Sequence, residues 1–473
     1  MEIRFNYQRI AFAVAAVCVI GALSWVRAAR GEGGEPRYFA IANARIVPVS
    51  GAVIESGTVV IAKGLIQAVG TNVSIPPEAW VIDGKGLTVY PGLIDAGTDL
   101  GLPKPPGTEV ASAGHGSAGG QPPIEVARGP EARPATSPWR VAADELKIDD
   151  KRIQDWRNAG FTTALTTPDV GIFPGQGTII DLGGERAGQL VVKPAATLQI
   201  SLVPTSGFFG FPNSLMGTIA YVRQVFDDAT WYQQAEPIHE ANATKIERIP
   251  YDRAERAIAA VRHDNEILLL PANTSVQLLR ALRLSGEWKF PTVIYSGQQG
   301  YAVADSIAAR RIPVLVNLKW PERAKDGDPE AEQTLRELRF RDHAPSTPAV
   351  FVKAGVKFAF YSGGLAGPKD IFKSVKKATD AGLAPDAALR AFTLDAAEIL
   401  GVADRMGSIE QGKIANLVVT DGDIFNDKTK VKHVFVDGGW YEIHEEAKPP
   451  EKAGDKKPER ADVSASVGAE VSR

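Results

Sequence analysis

The 473-residue chain has a single cysteine, Cys18, which lies inside an apolar run near the amino terminus. One thiol cannot form an internal disulfide, and it cannot build a cysteine-based zinc site in the body of the chain. Histidine is also scarce, with six residues in all. Basic side chains are not in surplus, because the formal net charge is −3. This charge argues against nucleic-acid binding as the main function, so no nucleic-acid partner is expected.

The two ends of the chain differ in composition from its body. Arg4 and Arg9 precede residues 10–26, a run of seventeen residues without a charge. This pattern predicts that residues 1–30 are either a cleaved signal peptide or an uncleaved membrane anchor, and both alternatives imply export to the periplasm or the extracellular space. Membrane contact is expected only through an uncleaved amino-terminal segment. Residues 445–473 are rich in Lys, Glu, Pro and Ala, which predicts a disordered tail.

The chain has 44% hydrophobic residues, which is enough for a large core. Its body divides into three regions with different sequence patterns. Short β-branched runs separated by glycine fill residues 38–90, and similar runs return over 402–444. Between them, residues 91–401 alternate strands with helices, apart from a Gly- and Pro-rich loop over 102–140. The pattern predicts an α/β protein in which both chain ends form one β-domain around an inserted parallel sheet or barrel. The predicted strands cover 161–166, 198–203, 267–270, 293–295, 314–318 and 357–361, and the predicted helices cover 214–234, 275–284, 302–309, 329–339 and 385–400.

Local patterns add smaller predictions. Thr274 is a candidate N-cap for the helix from 275, and Gly286 is a candidate stop. The Gly-rich residues 171–177 predict a tight turn after the second barrel strand. Helical spacing from Met216 to Tyr232, a span that includes Trp231, predicts packing in the core.

Three motifs carry a resemblance to a known family. Residues 89–95 read VYPGLID, residues 393–401 read TLDAAEILG, and residues 407–419 read GSIEQGKIANLVV. With the arrangement of the three regions, they resemble the amidohydrolase superfamily in its imidazolonepropionase-like branch, over about residues 38–445. The resemblance implies a (β/α)8 TIM-type barrel plus a composite β-sandwich formed by both chain ends. It also implies metal-dependent hydrolysis of C–N bonds other than ordinary peptide bonds, and a homo-oligomer.

The metal-binding motifs of that family are degenerate in this chain. The family pattern PGLIDxHxH on the first strand would place histidines where Gly97 and Asp99 stand. Further histidines are expected near Asn273 and Ser296, and the usual aspartate position is Gly363. Asp99 and Asn273 are therefore weak candidate ligands, whereas a catalytic zinc normally takes three protein ligands. No residue of these motifs is assigned a catalytic role, and no cofactor is predicted from them.

The other histidines do not rebuild the site, since no pair has the spacing His-x-His or His-x-x-x-His. Lys193 matches a lysine that some relatives carboxylate, but without histidine partners it is interpreted as a solvated or salt-bridging side chain. Trp139, Trp231 and Trp320 are candidate aromatic walls for a small-molecule ligand at the barrel mouth, or ordinary packing residues.

Two functions stay open at this point. The first is an exported pseudoenzyme that keeps the barrel for binding, assembly or scaffolding. The second is an active amidohydrolase or dipeptidase-like hydrolase with a non-standard site, which would need zinc or another divalent metal.

Overall fold

The structure is a computed structural model that describes residues 38–103, 133–204, 211–323, 330 and 332–443. The predicted amino-terminal segment, most of the 102–140 loop and the predicted tail lie outside the described residues. Within the described part of the chain, no helix has both the length and the apolar character needed to cross a membrane.

The secondary structure consists of two eight-stranded sheets and a set of helices. The strands are β1 (Phe39–Ile46), β2 (Ile54–Ala62), β3 (Leu65–Gly70), β4 (Trp80–Asp83), β5 (Thr88–Pro91), β6 (Leu93–Thr98), β7 (Phe161–Thr166), β8 (Gly175–Asp181), β9 (Val191–Gln199), β10 (Ile267–Ala272), β11 (Thr292–Ser296), β12 (Val314–Asn317), β13 (Phe358–Tyr361), β14 (Leu417–Thr420), β15 (Val431–Val436) and β16 (Gly439–Glu442). The α-helices are α1 (Lys151–Asn158), α2 (Ala187–Leu190), α3 (Leu215–Ala241), α4 (Arg253–His263), α5 (Ser275–Trp288), α6 (Ala304–Arg310), α7 (Leu335–His343), α8 (Thr347–Ala354), α9 (Pro368–Asp380), α10 (Pro385–Ala391) and α11 (Leu394–Leu400).

The first sheet joins the two ends of the chain. Its strand order is β16-β15-β14-β5-β1-β2-β3, with β4 also paired to β1. Strand β5 connects the halves, because it runs parallel to β1 and antiparallel to β14. Leu417 pairs with Pro91 and Val419 with Val89, so two of the three family-like motifs lie on directly hydrogen-bonded strands. The predicted composite β-structure is thereby confirmed.

The second sheet is the barrel, in the order β6 to β13, and β13 packs beside β6 so that the sheet is nearly closed. All its strands run in one direction except β8, which is antiparallel to both β7 and β9. Ile94, Leu165, Leu269 and Leu315 are among the side chains that fill its interior. A larger apolar layer lies between the strands and the surrounding helices. The predicted TIM-type barrel is confirmed, with one reversed strand.

The reversed strand corrects the prediction of a tight turn over 171–177, since the chain is already in β8 from Gly175. Glycine suits this strand because a β-carbon at Gly177 would lie 2.5 Å from Thr167 Cγ2 and 2.5 Å from Thr197 Oγ1. Thr167, which directly follows β7, and Thr197 of β9 therefore close over the Gly177 backbone. The strand predicted over 198–203 also needs correction, because β9 starts at residue 191 and ends at Gln199.

Helix boundaries follow their capping residues. The Thr274 side chain accepts a hydrogen bond from the Gln277 backbone N–H, and the Gln277 side chain accepts bonds in return, so the predicted N-cap is confirmed. Gly286 does not end α5, which continues to Trp288 and ends at Lys289 in a left-handed conformation. The prediction that Met216 and Trp231 pack in the core is wrong, since they are 81% and 56% exposed on α3.

Candidate functional site

A cleft of about 490 Å³ opens at the carboxyl ends of the barrel strands. This is the end of the barrel at which TIM-type proteins place their active sites, because the strand-to-helix loops meet there. The cleft combines two carboxylates and one guanidinium with amide, hydroxyl, aromatic and aliphatic groups. Its lining residues include Gly97, Asp99, Arg152, Asp169, Gln199 and Tyr361.

Tyr361 occupies the middle of this barrel end. The side chain is buried against the first and last strands, and a β-carbon at Gly97 would lie 3.0 Å from its Cδ2 atom. A β-carbon at Gly363 would overlap the ring of Tyr361. The phenol oxygen accepts a hydrogen bond from Asn317 Nδ2 at 3.0 Å and lies 3.3 Å from Ser296 Oγ. Burial raises the pKa of Tyr361, so the phenol is neutral at physiological pH.

Below Tyr361, Asp95 joins the first strand to the last. Its Oδ1 accepts the Ser362 backbone N–H at 2.9 Å and the Gly97 backbone N–H at 3.3 Å, and its Oδ2 accepts Trp156 Nε1 at 3.1 Å. Burial raises the pKa of Asp95, and the hydrogen bonds oppose that shift. The carboxyl group therefore closes the barrel seam rather than facing the cleft.

The rim of the cleft carries the charges. Asp99 Oδ1 accepts Arg152 Nη1 at 2.7 Å, and Arg152 Nη2 also lies 2.7 Å from Asp150 Oδ2. Asp150 in turn accepts the Gly101 backbone N–H at 2.9 Å, which fixes this corner of the site. Desolvation and the nearby Asp99 carboxylate raise the pKa of Asp169.

The predicted site residues fall into two groups. Gly97, Asp99 and Gly363 do line the cleft. Asn273 is not among its lining residues, and its Oδ1 instead accepts the Gln298 backbone N–H at 3.2 Å. Ser296, at a φ of 90°, is also not among the lining residues, and its Oγ lies 3.3 Å from the Tyr361 hydroxyl oxygen. The weak ligand pair of Asp99 and Asn273 is therefore not brought together at the cleft.

The histidines and the other candidates lie elsewhere. In the described ranges, His263 contacts Asp264, His343 stacks near Tyr301, and His433 accepts a hydrogen bond from Trp440. His115 and His444 lie outside the described residues. Lys193 is near the start of β9, at the opposite end of the barrel, where its Nζ approaches Gly401.

The three candidate tryptophans are also absent from the described lining of the cleft, where Trp156 stands instead. Trp320 is buried and donates to the Ser374 carbonyl at 2.9 Å, and Trp139 packs under the Arg253 guanidinium. Both are structural, whereas Trp231 is exposed on α3.

The residues present do not fit a catalytic metal. Among the described residues, no group of three or more His, Cys, Asp or Glu side chains is arranged to hold an ion. Asp99 is already neutralised by Arg152, and the ring of Tyr361 fills the space next to Gly97 and Gly363. A metal that activates water normally takes three protein ligands, and the described residues of the cleft do not supply three.

Sequence reasoning missed four residues of the cleft. Tyr361 could have been recognised, because it lies two residues before Gly363 and alternation along a strand puts both on one face. Arg152, Asp169 and Gln199 carry no motif, and they meet only because loops from separate strands converge at the barrel mouth.

Comparison with known proteins agrees with this architecture. Residues 332–441 match the model of the amidohydrolase family. The amidohydrolase tasK of Hapsidospora irregularis is 21% identical over 419 residues, which are 81% of this chain and 39% of that protein. The chain therefore spans about two fifths of the length of this curated relative.

Among solved structures, an amidohydrolase from Thermotoga maritima superposes with a TM-score of 0.68 at 25% identity, over 85% of this chain and 99% of that one. A Xaa-Pro dipeptidase with bound methionine superposes with a TM-score of 0.53 at 18% identity, over 86% and 100%. These similarities support the amidohydrolase superfamily for this chain. Its place in the imidazolonepropionase-like branch stays a prediction.

Proposed function

We propose that this chain is a non-hydrolytic member of the amidohydrolase superfamily that uses the barrel mouth to bind a small molecule. The observation that carries the proposal is the Tyr361 ring, which packs against the two glycines at the family's ligand positions. A metal-bound water has no place beside that ring, and no alternative set of ligands surrounds the cleft in the described part of the chain. The cleft itself is retained, with polar and apolar walls suited to a ligand.

The test is metal content and turnover measured on one preparation of the full chain. The protein is equilibrated with zinc, manganese, iron and cobalt in turn, desalted, and analysed by mass spectrometry. The same samples are then incubated with Xaa-Pro dipeptides and cyclic amides. We expect less than stoichiometric metal and no hydrolysis above the protein-free blank.

Stoichiometric metal with turnover would overturn the proposal in favour of an active hydrolase with a non-standard site. In that case Asp99→Asn should abolish the turnover, because Asp99 is the carboxylate at a family ligand position that lines the cleft. The matched control is Asp427→Asn on the exposed loop of the end sheet.

Export is a separate part of the proposal and rests on the charge pattern of residues 1–30. Cell fractionation of the full chain tests it, and mass spectrometry of the amino terminus separates a cleaved signal from an anchor. Recovery from the cytoplasm with Met1 retained would contradict export. Association of copies into a homo-oligomer likewise stays a proposal, which light scattering can test.

A further inference from the structure

Gln199 is a buried polar side chain of the cleft. It is 9% exposed at the end of β9, and it lines the cleft. Within the described residues its side-chain amide makes no hydrogen bond to protein. The amide reaches the space of the cleft, so a ligand group that both donates and accepts hydrogen bonds can engage it there.

The charged residues of the cleft indicate which charge a ligand would carry. The charged residues that line the cleft are Asp99, Asp169 and Arg152, which give the lining a formal charge of −1. Asp169 is exposed at the rim and forms no ion pair in the described ranges. Nearby Arg140 is already engaged by Glu145, with distances of 2.8 and 2.6 Å to the two carboxylate oxygens.

Arg152 is not free to receive an anion. Its Nη1 donates to Asp99, and its Nη2 and Nε donate to Asp150 at 2.7 and 3.1 Å. A carboxylate ligand would therefore meet the carboxylates of Asp99 and Asp169, and the guanidinium beside them is already engaged by Asp99 and Asp150. A cation is favoured instead, and an ammonium needs fewer oxygen ligands than a divalent metal ion.

We infer that the barrel mouth binds a small primary amine whose ammonium group lies between Asp99 and Asp169 and whose neutral amide or hydroxyl group bonds Gln199. Leu269, Leu315 and Leu365 line the same cleft and suit a short alkyl linker between the two polar ends. This inference rests on the proposed function, because it takes the cleft to be a binding site rather than a hydrolytic one.

The test titrates the full chain by calorimetry with ω-amino amides from glycinamide to 6-aminohexanamide. Each amino amide is compared with two ligands of the same length, one that lacks the amine and one in which a carboxylate replaces the amine. We expect one or more amino amides to bind, with the neutral amide of the same length about tenfold weaker and the carboxylate weaker still. Calcium and manganese are titrated as metal probes and are expected not to compete.

Two variants assign the contacts. Asp169→Asn should weaken the amino amide about tenfold and leave the neutral amide unchanged, since it removes charge at an exposed position. Gln199→Leu should remove the preference for an amide over an alkylamine of equal length. Asp427→Asn should change neither affinity, because Asp427 is exposed on the end sheet.

The inference is wrong if no amino amide binds at millimolar concentration, if the carboxylate binds as well as the amine, or if calcium or manganese displaces the amine. These results leave the proposed function standing when the metal and turnover measurements are also negative. Release of ammonia or amine product from a bound amide would instead overturn the proposed function.

Discussion

The ring of Tyr361 lies against the backbone of Gly363, so that a β-carbon on Gly363 would overlap the Cε2 atom of the ring. The two residues are separated by one position and belong to the same end of the barrel. The large side chain at 361 therefore packs as it does only because residue 363 has no side chain. The same ring closes the space beside Gly97, where a β-carbon would be 3.0 Å away.

This packing predicts a specific coupling between positions 361 and 363. Gly363→Ala should lower the free energy of unfolding by about 1–3 kcal/mol, because the buried ring cannot move aside. In the background of Tyr361→Ala the same change should cost much less, since the ring is gone. Urea unfolding of both single variants and the double variant measures the coupling.

Tyr361→Phe is the matched control, because it keeps the ring and removes the hydroxyl that Asn317 bonds. Gly363→Ala should be as costly in that background as in the unmodified chain. Equal costs in all three backgrounds would show that the overlap with the ring is not what excludes a side chain at 363.

The second prediction concerns restoration of a metal site. The triple variant Gly97→His, Asp99→His and Gly363→Asp supplies three potential ligands at the first and last strands, yet Tyr361 still fills the space between them. We expect zinc to stay with the protein after desalting only when Tyr361→Ala is added. Elemental analysis of the two variants decides, and stoichiometric zinc in the triple variant alone would contradict the prediction.

The third prediction follows from Asp181, at the end of the barrel opposite the cleft. Its Oδ1 accepts Thr163 Oγ1 at 2.8 Å and Asn416 Nδ2 at 2.8 Å. Burial raises the pKa of Asp181 to about 7, and the two hydrogen bonds oppose this shift only in part. Between about pH 4 and 7 the unfolded carboxyl group is ionised while the folded one keeps its proton, so stability falls as pH rises.

Asp181→Asn removes this cost while keeping an oxygen for both donors. The variant should gain stability relative to the unmodified chain as pH rises from 5 to 8, by roughly 2–3 kcal/mol. Urea unfolding at several pH values measures the difference, with Asp427→Asn as the exposed control. Part of the slope should persist, because burial also raises the pKa of Glu266 to about 7. A parallel pH profile for variant and parent would contradict the assignment.

The fourth prediction concerns Arg133, which anchors the chain to α3 and α4. Its guanidinium bonds Asp228 at 3.1 Å and Asp252 at 3.0 Å, and it also contacts Glu255. The Arg133 side chain is 17% exposed, so its removal leaves three partly buried carboxylates without compensation. Arg133→Gln should cost about 3–5 kcal/mol of unfolding free energy.

The control for this change is Arg223→Gln, which breaks an exposed pair with Glu287 at 2.9 Å. It should cost less than about 1 kcal/mol. The loss at Arg133 should shrink towards pH 5, because burial and the Asp252 charge raise the pKa of Glu255 to about 7 and acid then neutralises it. Equal losses for the two arginines would show that burial does not set the cost.

Much of the fold could be predicted because its signals are local. The strand at 161–166 is found where β-branched residues indicate it. Thr274 caps its helix by bonding Gln277, which is only three residues further along the chain. The strand β8 escaped prediction because its interior glycines indicate a turn. In the fold, Gly177 leaves room for the side chains of Thr167 and Thr197, and this packing depends on tertiary structure.

By itself, the sequence determined the barrel joined to a sheet from both chain ends, the resemblance to the amidohydrolase superfamily, and the absence of a ligand side chain at Gly97 and of the usual aspartate at Gly363. These depend on spacing within short segments. Only the tertiary structure decided that Tyr361 fills the vacated space, that Arg152 is engaged by two aspartates, and that the Gln199 amide has no partner among the described residues. The physical reason is that these contacts join strands and loops far apart in the chain, so their geometry exists only once the barrel closes.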